Sequence, residues 1–178
     1  MRVVAGLAGG RRLQAPAGRK VRPTSERVRE ALFNALGSME AVEGAAVVDL
    51  YAGTGALGIE ALSRGAVSAT FVDADSQAVR SIKENLRATG LAERGRVVQA
   101  DVLRFLAATA AGDTRFDIAF ADPPYAFDGW AALLAVVPAR LVAIEARGHV
   151  DLGEGWHALR SKRYGDTVLT LARRQEEA

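Results

Sequence analysis

Positions 120–127 read FADPPYAF, an apolar stretch that runs directly into an aspartate, two prolines and a tyrosine. These residue types suit the methylation of an amine conjugated to an aromatic ring. The lone pair of such a nitrogen is delocalised, so the atom must become more tetrahedral before it attacks in line. Two acceptors that hold its N–H groups favour that state, and the stretch offers the Asp122 side chain and a main-chain carbonyl of the 122–124 run. Pro123 and Pro124 have no N–H and fix φ, which presents the carbonyls rigidly and ends strand pairing. Tyr125 adds a flat face against which an extruded base stacks. A plain turn at a strand end accounts for D-P-P alone, but not for the tyrosine behind it. Phe127 and Trp130 either wall the same pocket or belong to the core.

A second constellation lies upstream, in VVDLYAGTGALG at 47–58. Gly53, Gly55 and Gly58 have the G-x-G-x-x-G spacing of a nucleotide-binding turn, and Asp73 follows about twenty residues later. Alone, this spacing also fits NAD. Asp49, four residues before Gly53, favours S-adenosylmethionine: a carboxylate at a strand's end suits a cationic amino-acid moiety and repels a pyrophosphate. Asp73 then accepts from ribose hydroxyls, and Asp101 is placed to read an adenine amino group. Each carboxylate has a blander use as a helix cap, Asp75 and Asp101 most of all.

These residues require a sheet whose strands end side by side. Apolar, β-rich runs occur at 47–51, 69–73, 96–101, 117–122 and 140–145. Between them ALGIEALSRG closes on Gly65, and SQAVRSIKENLRATG aligns Val79, Ile82 and Leu86 before Gly90. Strands alternating with helices predict an α/β fold with a parallel sheet and right-handed crossovers. WHALRSKR, the turn YGD and TVLTLAR predict a C-terminal antiparallel hairpin. Near the N-terminus, VVAGLAGGRRLQAP suggests a small glycine-rich hairpin. PTSERVREALFNAL predicts a helix with Pro23 before a Thr24 or Ser25 cap and Val28, Leu32 and Leu36 on one face. The last residues, RRQEEA, read as a frayed tail. One domain spans 1–178, with a basic extension over 1–23 and the catalytic core over 24–178.

Charge is uneven. Residues 1–30 hold eight basic and two acidic side chains, while the other 148 hold 15 basic and 19 acidic. Such an arm suits a polyanion, and Arg11, Arg12, Arg19, Lys20 and Arg22 are the phosphate candidates. With no cysteine and only His149 and His157, a disulfide framework and a zinc cluster are excluded, and no metal is expected. Both histidines read as structural or surface residues. No uninterrupted apolar run reaches the length of a membrane span, and the short N-terminal apolar stretch is too glycine-rich for a secretory signal. A cytoplasmic protein, acting as a monomer and away from membranes, is expected.

RPTSERVREALFNAL, DLYAGTGALGIEALSRGA and ADPPY together resemble, in order and spacing over nearly the whole chain, the small-subunit ribosomal RNA guanine-N2 methyltransferases of the RsmD type. The resemblance implies a class I, Rossmann-like methyltransferase fold with a mostly parallel seven-stranded sheet. It implies S-adenosylmethionine as donor and a guanine of 16S ribosomal RNA, in the small subunit or an assembly intermediate, as acceptor. By position it makes Asp49, Gly53 and Gly55 the methionine-side loop, Asp73 the ribose ligand, Asp101 the adenine contact, and Asp122, Pro123, Pro124 and Tyr125 the catalytic motif. The chain departs from the family at Asp73, where glutamate is expected in many relatives. Arg22, Thr24, Arg27 and Arg29 line the cofactor or base pocket on this resemblance, whereas spacing alone allows Arg27 and Arg29 to be a helix's wet face. Adenine-N6 methylation, an NAD-dependent oxidoreductase and a silent RNA-binding module are the competing readings.

Overall fold

The protein, described here from a computed structural model, is defined over residues 1–15, 26–124 and 126–175. The expectations for Arg19, Lys20, Arg22, the Thr24 or Ser25 cap, Tyr125 and the last three residues fall outside these. The elements run α1 (Glu26–Ser38), β1 (Ala46–Leu50), α2 (Ala56–Ser63), β2 (Ser68–Asp73), α3 (Ser76–Thr89) and β3 (Gly95–Gln99). They continue with α4 (Val102–Ala110), β4 (Phe116–Ala121), α5 (Trp130–Val136), β5 (Ala139–Ala146), β6 (Trp156–Tyr164) and β7 (Thr167–Arg174).

The seven strands lie in the order β3-β2-β1-β4-β5-β7-β6. β1 to β5 are parallel, and β7 pairs antiparallel with both β5 and β6. This is the expected mostly parallel sheet with an antiparallel hairpin, the hairpin's last strand tucked inside its first. Alternation along the strands feeds two cores. On one face Phe71, Ile118 and Phe120 pack with Phe33 of α1, Ile59 of α2 and Ile82 of α3. On the other, Val48, Val72 and Ile144 pack with Leu106 of α4 and Leu133 of α5. Because both faces are covered, the central strands read as continuous apolar runs. Among the described residues no helix is long and apolar enough to cross a membrane.

Two local expectations change. The strand read over 96–101 ends at Gln99, because Asp101 leaves the ladder to cap α4, its carboxylate accepting the Arg104 N–H at 3.0 Å. Arg173 and Arg174 are not tail but the end of β7. Arg174 lies 4.4 Å from the Trp156 ring centroid and donates to the Ala139 carbonyl, which fixes the strand's end.

The glycine-rich N-terminal segment is a hairpin reduced to one antiparallel bridge, Arg2 to Arg12. Val3, Ala8 and Leu13 are buried against the helices beneath. The anchor is Glu60 of α2, a fully buried carboxylate that accepts the N–H groups of Val4 (2.7 Å) and Ala5 (3.1 Å) and the Arg64 guanidinium (2.7 Å). Arg29 of α1 faces it at 3.6 Å and also donates to the Arg2 carbonyl. Neither side of the wet-face or pocket alternative holds for Arg29: it is fully buried, between α1 and α2, whereas Arg27 is exposed. Burial lowers the Arg29 pKa, and Glu60 opposes that shift.

This asymmetry predicts unequal costs. Glu60→Ala strands a buried guanidinium and three further donors, so urea unfolding should show a loss of about 3–5 kcal/mol. Arg29→Met leaves Glu60 with its other partners and should cost clearly less. A larger loss for Arg29→Met would show that the arginine, not the carboxylate, is the anchor.

Candidate active site

β1 and β4 are neighbours in the sheet, yet the chain leaves β1 toward β2 and β3 on one side and only then crosses to β4 on the other. Their carboxyl ends therefore border the crevice where open α/β sheets hold ligands. Register brings the candidate residues to it: Leu50 opposes both Val72 and Ala121, which places Asp73 and Asp122 at the same edge. Asp49 lies two residues below that edge, 2% exposed, and Asp73 is 8% exposed.

The glycines divide the labour. Gly53 (φ 56°) and Gly55 (φ 77°) adopt left-handed backbone. A Cβ on Gly58 would lie 2.3 Å from the Phe71 ring, so this glycine lets α2 sit directly on β2. Gly55 precedes α2 with no side chain to cap it, and every residue of that helix is buried. The missing cap comes from the strand: Asp49 accepts the Gly58 N–H at 2.9 Å. Asp73 accepts the Gly53 N–H at 2.9 Å and, through its other oxygen, the Asp75 N–H at 2.9 Å. Gly55 donates to the Ala52 carbonyl at 2.7 Å.

All three glycine N–H groups are thus committed, two of them to carboxylates. A pyrophosphate needs such donors free and a positive helix terminus open; here a carboxylate already takes the Gly58 N–H, which weighs against the NAD reading. Charge leads the same way. Burial raises the Asp49 pKa well above the ordinary carboxylate range, the Gly58 hydrogen bond opposes this, and the negative charges of Asp122 and Asp73 raise it further. No basic side chain is among the main influences on Asp49. The donor set therefore fits a cationic ligand, such as the amino and sulfonium groups of S-adenosylmethionine.

Past β4, Asp122 is half-buried, Pro123 buried and Pro124 exposed. The Pro124 carbonyl accepts the Phe127 N–H at 2.9 Å and so belongs to the turn. Phe127 is half-buried and makes edge-on contacts with Tyr51 (5.5 Å between centroids) and Trp130 (5.0 Å). It belongs to an aromatic row, which Trp130 continues onto α5. Tyr51 was not singled out from sequence. It is left-handed (φ 58°) although not glycine, and burial together with Asp101 raises its hydroxyl pKa to about 12. An aromatic between a strand and its glycine turn was the available signal, but the backbone angle was not readable.

Asp101 is exposed and Asp75 caps α3 by accepting the Gln77 N–H at 2.9 Å, so the capping roles weighed for both are realised. Arg11 and Arg12 are exposed on the arm, and Arg11 donates to the Ala88 carbonyl at 2.7 Å. His157 is exposed on β6 and His149 is within 3.3 Å of Ser161, both away from the three clustered carboxylates. Among the described residues no group of three or more potential ligands could hold a metal.

The family described as Conserved hypothetical protein 95 matches residues 1–173. The Bacillus subtilis protein YlbH is 42% identical over 170 residues, covering 96% of this chain and 91% of its own. The ribosomal RNA small subunit methyltransferase D of Haemophilus influenzae is 33% identical over 175 residues, covering 93% of this chain and 89% of its own. The solved structure of Escherichia coli YhhF superimposes with a TM-score of 0.84 at 33% identity, covering 99% of both chains.

A carboxylate whose pKa is higher folded than unfolded contributes stability at low pH that is lost as pH rises from roughly 3.9 through its folded value. Asp49→Asn should therefore raise the thermal midpoint of the free protein at pH 8 more than at pH 4. It should also weaken binding of a cationic ligand. An increment that is the same at both pH values would show that Asp49 is not the strained group.

Proposed function

The chain belongs to the Conserved hypothetical protein 95 family, and we propose that it transfers a methyl group from S-adenosylmethionine to the exocyclic N2 amine of a guanine in 16S ribosomal RNA. The observation that carries the reading is the carboxylate set of Asp49, Asp73 and Asp122 around one sheet edge, with Asp49 accepting the Gly58 N–H of the helix that follows. The H. influenzae relative's name supports the RNA acceptor, and the exposed Arg11 and Arg12 are consistent with one. Substrate presentation as a small subunit or an assembly intermediate, action as a monomer and a cytoplasmic location belong to the same proposal.

When bound, S-adenosylmethionine supplies an electrophilic methyl on a cationic sulfur. Asp49 and Asp73 face the donor's amino-acid and ribose parts, and Asp101 borders its adenine. Asp122 accepts one N–H of the acceptor amine. The second acceptor is assigned to the Pro123 carbonyl, since that of Pro124 serves the turn. Held by both, the nitrogen loses conjugation with the ring and its lone pair is directed at the methyl. Tyr125 is assigned the stacking on the extruded base. No general base is required, because the amine becomes acidic once methylated and water takes the proton.

Asp122→Ala should lower kcat by about a hundredfold or more while donor affinity, measured by calorimetry, stays within a few-fold. Loss of both together would count against the division of roles. The acceptor is tested with labelled donor and small subunits from cells lacking this activity, followed by nucleoside analysis. N2-methylguanosine is the expected product; methylated adenosine would overturn the base assignment, and absence of label on subunits, assembly intermediates and free RNA would overturn the function.

A further inference from the structure

Strand β6 carries Arg160, Lys162 and Arg163 and no acidic residue between Trp156 and Tyr164. Residues 157–163 are exposed without a break. A sheet strand ordinarily buries at least one face; this one is wet on both, so packing does not account for its sequence. Edge strands do use charge to prevent pairing with other chains, and that role alone would leave the position of the charges along the strand arbitrary.

Their position is not arbitrary. β6 and β5 both pair antiparallel with β7, so β6 runs in the direction of the parallel strands and its basic half points toward the candidate active site. Lys162 opposes Leu169, which opposes Glu145. Ala121 opposes Ile144, so Asp122 is level with Glu145 and hence with Lys162. Three strand spacings, about 14 Å, separate Asp122 from Lys162 along this level. Beside this level, on the face that α5 covers, opens a cleft of about 650 Å³ lined by Pro123, Pro124, Trp130, Arg147, His149 and Trp156 among others. Arg163 donates to the Arg147 carbonyl at 3.3 Å, which ties the strand to the cleft's rim.

We propose that β6 is a phosphate rail for the acceptor: the RNA strand whose guanine enters at Asp122 passes across the ends of β5 and β7 and lays its backbone on Arg160, Lys162 and Arg163. The inference rests on the RNA methyltransferase reading above and adds a second contact surface to the arm. A second copy of the chain is a poorer occupant of this edge. Two β6 strands would bring like charges together, and the irregularity between Ala158 and Arg160 interrupts the ladder that strand addition needs.

The test is R160T/K162T/R163T, which keeps residues suited to a strand, assayed with a small-subunit ribosomal RNA transcript over a salt series. Affinity should fall about tenfold or more at low salt, and the slope of log K against log salt should shrink by about two to three. KM for RNA should rise with kcat nearly unchanged, and donor affinity and the thermal midpoint should match the parent. A matched loss of charge elsewhere, K83Q/R87Q/R96T, should leave the slope near the parent's. An unchanged slope and KM in the β6 variant overturn the rail. So does self-association of that variant with RNA affinity intact, which would assign the charges to edge protection. A parent chain with no salt-dependent RNA binding overturns the functional reading and the rail together, and that result is visible before any variant is made.

Discussion

A helix buried on every side must find partners for its first backbone donors inside the protein, since water cannot reach them. α2 is such a helix, and the residue at its start is a glycine with no side chain to offer. Asp49 solves this from the neighbouring strand by accepting the Gly58 N–H. The solution has an electrostatic cost, because the carboxylate is buried close to Asp73 and Asp122 and its pKa is driven up. A cation at the sheet edge relieves that cost, so the same interaction that completes the helix also creates an appetite for a positively charged ligand. Had a serine stood at position 55 and an apolar residue at 49, the helix would be capped without creating a site.

α2 also fixes the N-terminal arm. Glu60 lies one turn beyond Gly55 and gathers Val4, Ala5, Arg64 and Arg29 around one carboxylate. Ser63, one turn further, accepts the Ala8 N–H at 2.9 Å and its carbonyl accepts that of Leu7 at 2.8 Å. The basic hairpin is therefore not a loosely tethered tail. Its described part is docked on the helix that starts at the glycine loop, and on α3, where Asn85 accepts the Gln14 N–H at 2.8 Å.

The alternation of strands with helices and the position of the carboxylates at strand ends were legible because they rest on local signals: apolar runs, glycine spacing and the abrupt D-P-P exit; the strand order was not among them. What escaped were features set by contacts between distant segments. Nothing local marks Arg29 as buried, since its neighbours Arg27 and Glu30 are exposed and its partner Glu60 is 31 positions away. The role of Gly58 was hidden likewise, because it depends on the Phe71 ring of another strand. Asp101 was ambiguous for a physical reason: a strand-end aspartate that caps the next helix and one that faces a ligand occupy the same position, and here the cap is made. The basic character of β6 was visible in RSKR, but its level with Asp122 follows only from the pairing of β4, β5, β7 and β6.

The charge layout bears on how an RNA acceptor would have to approach. Among the described residues Asp49, Asp73 and Asp122 gather negative charge around the β1–β4 crevice, which disfavours a phosphate beside them. Cations of the arm and of β6 lie to its sides, the latter about 14 Å along the sheet. A backbone held on those cations cannot follow its base into the acidic crevice. On the proposed function a neutral guanine enters instead, and only after leaving its stack. On this account the carboxylates do more than hold a cationic donor: they divide the acceptor, admitting the base and holding off the chain that carries it.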